Sequence, residues 1–236
     1  MSKAAELANL IGNINAGGGG VNRNILINGS TSVAQRGTSS TGIGASSGYF
    51  TCDRWKITTG NTAGRLTMTQ DSSAPSGTGL ANSIKLDCTT ADTSIAADEL
   101  TIIGQSIEGQ NLQTTQKGTS SAVPITVSFY AKANASATYV AELFDHDNTR
   151  NNTRAFTVGT DWARVELTFI PDTTGTLDDD NAASLTFQIW LHAGSTYSGG
   201  TFSDNTWQSV TAANRYAGSR TSIFDSTSRE LFLTGL

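Results

Sequence analysis

Three stretches of the chain alternate apolar and polar residues with a period of two, the pattern of a β-strand with one buried face. They are residues 123–132, 164–170 and 185–192. Shorter strands are predicted at residues 25–27, 65–69, 83–86, 138–144 and 230–234, separated by clusters of turn-forming Gly, Asn, Asp and Ser. Because the alternating stretches bury only one face, the pattern is typical of an all-β antiparallel sandwich.

The N-terminal residues show helical rather than strand spacing. After a candidate N-cap at Ser2, four apolar residues form one stripe: Leu7, Leu10, Ile11 and Ile14. So short a helix is marginal in water, and we expect its stripe to dock on a second copy or on a neighbouring protein. Four glycines at 17–20 predict a flexible tether. The expected organisation is a helical anchor and linker at 1–20 and one β-sandwich at 21–236.

Charged residues are scarce in this sequence. Asp, Glu, Lys and Arg make up 15% of the 236 residues, against about 25% in a typical soluble domain. A net charge of −5 provides no basic stripe for a phosphate backbone, so nucleic-acid binding is not expected. No apolar run approaches the roughly 18 residues of a membrane helix, so membrane insertion is not expected either.

Several short motifs carry a resemblance to a known group of proteins. The stretch N-R-N-I-L-I-N-G-S-T-S-V-A-Q-R-G-T at residues 22–38 is followed by Y-F-T-C-D-R-W at residues 49–55. With its M-S-K-A-A-E-L-A start and its closing L-F-L-T-G-L, the sequence resembles tail-fibre or virion structural proteins of tailed bacteriophages. The resemblance implies a jelly roll similar to carbohydrate-binding modules, on the particle surface. It also implies two strands that open the domain and contain these motif residues: Gln35, Arg36, Asp53, Arg54 and Trp55.

The resemblance implies a virion structural role and leaves two versions of it open. In the first, the chain is a tail-fibre or receptor-binding subunit that attaches by its N-terminus and meets a glycan on the host surface. In the second, it is a capsid decoration protein that cements the shell. Both versions predict contacts with other virion proteins, self-association as a closed oligomer, which we expect to be a trimer, and assembly in the host cytoplasm.

No catalytic metal motif stands out in the sequence. His146 and His192 lack the spacing of a helical zinc motif. A glycan-active enzyme with two carboxylates remains an alternative, and Glu142 and Glu166 are the acids inside predicted strands. We interpret Asp53, beside Arg54 and Trp55, as part of a structural corner rather than a catalytic pair. We therefore expect no catalytic residues and no enzymatic activity.

Clustered acidic residues offer candidate metal sites in the sequence. Carboxylate oxygens are the ligands that calcium prefers, and four aspartates are the candidates: Asp172, Asp178, Asp179 and Asp180. A second acidic loop occupies residues 145–148. The alternative interpretation is a solvated turn, because Asp and Asn also favour turns. Apart from this structural calcium, no cofactor is expected.

Three ring side chains are predicted to leave the core face of their strands, namely Tyr130, Trp190 and His192. Exposed rings on a sheet form a platform on which sugar rings stack. Tyr and Trp are also enriched where subunits meet. The sequence therefore predicts either a subunit interface or a glycan platform at these positions.

Overall fold

The computed structural model describes residues 24–236, and the predicted anchor helix with Leu7, Leu10, Ile11 and Ile14 lies outside this range. The described residues form thirteen strands: β1 Ser39–Ile43, β2 Gly48–Tyr49, β3 Lys56–Gly60, β4 Arg65–Asp71, β5 Ser83–Thr90, β6 Leu100–Glu108, β7 Ile125–Ala133, β8 Ala137–Asp145, β9 Arg150–Val158, β10 Ala163–Phe169, β11 Ala183–Ala193, β12 Gln208–Ser209 and β13 Glu230–Thr234. One α-helix, α1, spans Ser195–Ser198, and 3-10 turns occupy Gly109–Asn111, Gln113–Thr115 and Ala212–Asn214. Among the described helices, none is long and apolar enough to span a membrane.

The strands form two antiparallel sheets. One sheet has six strands in the order β1-β4-β5-β13-β7-β10, and the other has seven in the order β12-β9-β8-β11-β6-β3-β2. The chain crosses between the sheets repeatedly, as in a jelly roll, for example from β3 to β4, from β5 to β6 and from β10 to β11. The predicted all-β, jelly-roll-like sandwich is confirmed.

The core lies between the sheets and is built by the alternation seen in the sequence. In β11, the inward residues Leu185, Phe187, Ile189 and Leu191 are at most 1% exposed. Phe129 of β7 meets Phe156 of β9 edge to face across the sandwich, with ring centroids 5.3 Å apart. Aromatic rings of this size bury large apolar areas, so the facing strands supply most of the packing that holds the sheets together.

The opening motif does not form the strand that was expected at residues 25–27, and that prediction is wrong. Residues 27–30 form a turn, and Asn28 and Thr31 adopt positive φ angles of 57° and 56°. The Asn28 side chain accepts a hydrogen bond from the Val33 amide and donates to the Val33 carbonyl. Such local side-chain bonds compete with a strand ladder, which explains the turn.

The connection between β11 and β13 covers part of the outer face of the seven-stranded sheet. This connection, residues 194–229, contains α1 and the last 3-10 turn. It packs Tyr216 and Tyr197 on Trp190 of β11, with ring centroids 6.1 and 5.4 Å from the Trp190 ring. A second, smaller apolar cluster results on this face, made by Ile102, Val140, Trp190 and Tyr216.

Candidate functional site

An open groove lies on the outer face of the seven-stranded sheet, at the border of the covering connection. Its volume is about 340 Å³, within the range of small-ligand sites. A Cβ atom at Gly104, on the groove floor, would lie 2.7 Å from the Phe187 carbonyl oxygen, so the strands meet closely there. The lining residues come from β2, β3, β6, β8, the turn after β8, β11 and the connection: Tyr49, Lys56, Thr58, Leu100, Ile102, Gly104, Ser106, Phe144, His146, Thr186, Gln188, Trp190, Tyr197 and Arg215.

A buried carboxylate supports the floor of the groove. Glu142 of β8 is 0% exposed, and its two oxygens accept five hydrogen bonds. Arg215 donates two of them, each 2.9 Å long, and the others come from Asn151, Gln188 and Trp190. Because every lobe of the carboxylate is occupied, Glu142 is arranged to hold the site in shape rather than to exchange a proton with a ligand.

Arg215 is held between two aromatic rings. Its guanidinium carbon lies 4.6 Å from the Trp190 ring centroid and 4.8 Å from that of Phe144. The His146 ring packs edge to face on Phe144, and its Nε2 lies 2.8 Å from the Thr186 hydroxyl. Burial lowers the pKa of His146 and outweighs the opposing effect of Asp147, so the imidazole is neutral at neutral pH. The groove floor is thus a preorganised stack of rings and one guanidinium.

The opposite side of the groove is a basic rim around Tyr49, made by Arg36, Arg54 and Lys56. The Tyr49 side chain is 46% exposed, and the Arg36 guanidinium lies 5.6 Å from its ring centroid. Lys56 of β3 is directly opposite Tyr49 of β2 in the strand pairing. Arg54 and Tyr49 together line a second depression, of about 210 Å³, which shares Tyr49 and Ser106 with the groove. The rim therefore combines one exposed ring with cationic groups.

The structure does not bring the three predicted platform residues together. Tyr130 lies on β7 of the six-stranded sheet, with the Arg164 guanidinium 5.7 Å from its ring centroid. Trp190 and His192 lie on β11 of the other sheet, and both are 0% exposed. The prediction that these two side chains are exposed is wrong, because the β11–β13 connection packs over them. Only Trp190 of the three lines the groove.

His192 belongs to a buried polar cluster next to the groove. Its Nε2 lies 2.9 Å from a Glu99 carboxylate oxygen, and its Nδ1 lies 2.7 Å from the Ser222 hydroxyl. Asp92 completes a set of three candidate metal-ligating atoms within 4.8 Å of one another. Burial alone would raise the pKa of Asp92, but hydrogen bonds from Thr62 and from backbone amides outweigh it and lower that pKa. The cluster ties the loops around β5 and β6 to β11.

The four aspartates proposed as calcium ligands lie in different environments. Asp172 accepts two hydrogen bonds from Arg150, 2.9 and 3.1 Å long, and its carboxylate also pairs with the Lys117 ammonium at 3.1 Å. Its oxygens thus already face two cations, which a calcium ion would have to displace. Asp178, Asp179 and Asp180 are exposed, and an Asp180 oxygen accepts from the Ala182 amide as in a turn.

The second motif of the sequence forms a corner before β3. Trp55 is 1% exposed, and its ring nitrogen donates to the Asn28 carbonyl. Asp53 accepts hydrogen bonds from the Gln35 amide and the Arg36 guanidinium. Arg54 adopts a φ of 73°, a left-handed conformation uncommon for a non-glycine residue. Asp53 and Arg54 lie in a turn rather than in the strand that the resemblance implied.

Sequence reasoning missed most of the groove. Glu142 was noted as an acid inside a strand, but the residues that bind and flank it, Arg215 and Phe144, were not singled out. Lys56 was missed because β3 is only five residues long and was not predicted. The sequence did contain one indication of the groove in the outward-facing residues of β11. Gln188 and Trp190 alternate with core residues, and both line the groove.

Comparisons with known proteins give structural likenesses at low identity. No family model matches the chain, and no curated protein matches it. Among solved structures it is similar to a putative sugar binding protein from Bacteroides thetaiotaomicron, with 12% identity over 90% of this chain and 97% of that one and a TM-score of 0.43. It is also similar to a family 11 carbohydrate-binding module from Clostridium thermocellum in complex with a mixed-linked tetrasaccharide, with 12% identity, 84% and 93% coverage and a TM-score of 0.37. A third is the enzymatically active domain of tailspike protein 4 from bacteriophage CBA120, with 16% identity and a TM-score of 0.39. That match covers 72% of this chain and 20% of the tailspike chain.

Proposed function

We propose that this chain is a virion surface protein of the tail-fibre type that binds a glycan in the groove on its seven-stranded sheet. The observation that carries the proposal is the groove itself, an open site of about 340 Å³ with an exposed aromatic ring at its rim and polar groups along its floor. Sites of this size bind small ligands when a few polar groups fix their orientation.

The chemistry of the lining suits a sugar. A pyranose ring has an apolar face that stacks on an aromatic side chain, and Tyr49 offers such a ring at the groove edge. Sugar hydroxyls need both donors and acceptors, and the lining supplies hydroxyl groups from Thr58, Ser106 and Thr186. The Gln188 amide nitrogen donates a hydrogen bond to Glu142, and the Gln188 amide oxygen is an acceptor.

The virion part of the proposal rests on the sequence. The motifs at residues 22–38 and 49–55 resemble those of tailed-phage structural proteins. The predicted N-terminal anchor at residues 1–20 fits a subunit that is fixed at one end and presents its sandwich to the host. A binding groove on an outer sheet face, away from the core, is compatible with that arrangement.

The Tyr49→Ala variant tests the glycan site. We expect it to weaken binding of the purified protein to host surface polysaccharide by about tenfold, since a stacked ring contributes on the order of 1 kcal/mol or more. Tyr130→Ala is the matched control, because it removes a half-buried tyrosine from the opposite sheet. Glycan-array binding and cell adsorption of reconstituted virions are the measurements. Equal binding by both variants and the parent would contradict the proposal.

Copy number separates the tail-fibre role from capsid decoration. Quantitative mass spectrometry of purified virions is expected to find far fewer copies of this chain than of the major capsid protein. Comparable copy numbers would instead assign the chain to the shell, and the groove would then be a contact between capsid components.

A further inference from the structure

We propose that the groove selects acidic glycans, meaning oligosaccharides that carry a carboxylate or another anionic group. The inference rests on the proposed glycan function and adds the charge class of the ligand. It starts from a contrast between the groove and the whole molecule. The chain carries a net charge of −5, yet none of the described residues that line the groove is an aspartate or a glutamate.

The charges around the groove leave an uncompensated positive side. The Arg215 charge is neutralised from below by the buried Glu142 carboxylate. Arg36 forms a salt bridge of 2.8 Å with Asp53. Lys56 and Arg54 are exposed, and neither forms a salt bridge with another described residue. Glu108, in the adjoining depression, accepts hydrogen bonds from Gln110 and Asn111.

Lys56 is placed to bind an acid group on a sugar ring that stacks on Tyr49. Lys56 and Tyr49 are paired residues of β3 and β2, so their Cβ atoms lie about 5 Å apart on one sheet face. A sugar ring stacked on Tyr49 would place an equatorial carboxylate within reach of the Lys56 ammonium. Charge-assisted hydrogen bonds of this kind are about twice as strong as neutral ones.

The negative charge of the rest of the molecule gives this local arrangement its selectivity. A protein of net charge −5 repels polyanions in general, so an acidic glycan gains attraction only where the local charge is reversed. At physiological ionic strength charges act over about 8 Å, which confines the attraction to the groove and its rim. Neutral glycans gain no charge–charge attraction from Lys56 and Arg54.

Paired ligands test the inference directly. The probes are uronic-acid and sialic-acid oligosaccharides on an array, each beside its methyl ester, which keeps the ring and removes the charge. We expect the parent protein to bind at least one acid about tenfold more tightly than its ester, and Lys56→Gln to reduce that preference to about twofold or less. Arg164→Gln is the control, since it also removes one positive charge but lies on β10 of the opposite sheet.

The outcomes separate the two proposals. Preference for the acids that Lys56→Gln abolishes and Arg164→Gln keeps supports the inference. Equal binding of acids and esters, or a preference that both variants lose alike, overturns the inference and leaves the glycan site in place. Binding to no glycan, combined with normal adsorption by Tyr49→Ala virions, overturns the proposed function itself.

Discussion

Glu142 is a single buried charge on which much of the groove depends. Replacing it with glutamine leaves the Arg215 guanidinium, which lies between two aromatic rings, without its carboxylate partner. We expect Glu142→Gln to lower the free energy of unfolding by about 3 kcal/mol, the cost of breaking a largely buried ion pair. Urea denaturation followed by tryptophan fluorescence measures it.

Glu166→Gln is the matched control for that change. Glu166 also lies in a strand beside an arginine, but its side chain is 63% exposed and its pairing distance to Arg164 is 3.8 Å. Exposed pairs contribute little, so we expect a change of less than about 1 kcal/mol. Similar losses in both variants would show that Glu142 is not the support of the groove.

Asp172 contributes to a fall in the free energy of unfolding as the pH becomes acidic. Burial alone would raise its pKa, but hydrogen bonds from Arg150, Thr174 and Lys117 outweigh burial and lower the pKa. Because the folded-state pKa is the lower one, its stabilising contribution is complete above the unfolded pKa of about 3.9 and is lost as the pH falls through the folded value. Asp172→Asn should therefore be less stable at neutral pH and should lose less stability on acidification.

Urea denaturation at neutral pH and at about pH 3 measures this dependence. Asp225→Asn is the control, since Asp225 also accepts two hydrogen bonds from one arginine, Arg229, but its side chain is 37% exposed. We expect the control to retain nearly the pH dependence of the parent. A parent and Asp172→Asn with the same pH dependence would rule out this role for Asp172.

At the scale of the element, β11 shows what could be read from the sequence and what could not. Its inward residues Leu185, Phe187, Ile189 and Leu191 were predicted from alternation, and all are buried. Its outward Trp190 was predicted to be exposed and is buried as well. Alternation reports which face a side chain takes, but it carries no information about a distant segment that covers that face. Tyr197 and Tyr216, which do so, lie in a connection with no regular period.

The short strands limited the prediction of the site in the same way. β2 has two residues and β3 has five, too few for a period of two to stand out. Tyr49 and Lys56 meet because these strands pair, and that pairing depends on the turn around Asp53 and Trp55. The turn is held by side-chain to backbone bonds between residues far apart in sequence, such as Trp55 and Asn28. Such long-range bonds have no local signature.

At the scale of the whole molecule, the two cysteines report on the integrity of the core. Cys52 and Cys88 are both buried and free, and burial raises the pKa of each thiol to about 11. Both belong to the same apolar cluster between the sheets. We expect neither thiol to react with a disulfide reagent in the folded protein at about pH 8, because the thiolate is the reactive form.

Reaction should begin at the urea concentration at which tryptophan fluorescence reports global unfolding. A two-state sandwich exposes both thiols in one transition. Reaction of one thiol at much lower urea would instead reveal local opening of the corner around Cys52 or of β5 around Cys88.

The position of β13 also bears on how the chain folds as it is synthesised. Although β13 is the last strand in sequence, it lies in the middle of its sheet, between β5 and β7. Until residues 230–234 have left the ribosome, β5 and β7 each present an unpaired edge, and the sheet exists only as two separate parts. Completion of the core therefore waits until residues 230–234 have been translated, and the nascent chain needs protection from edge-to-edge association until then.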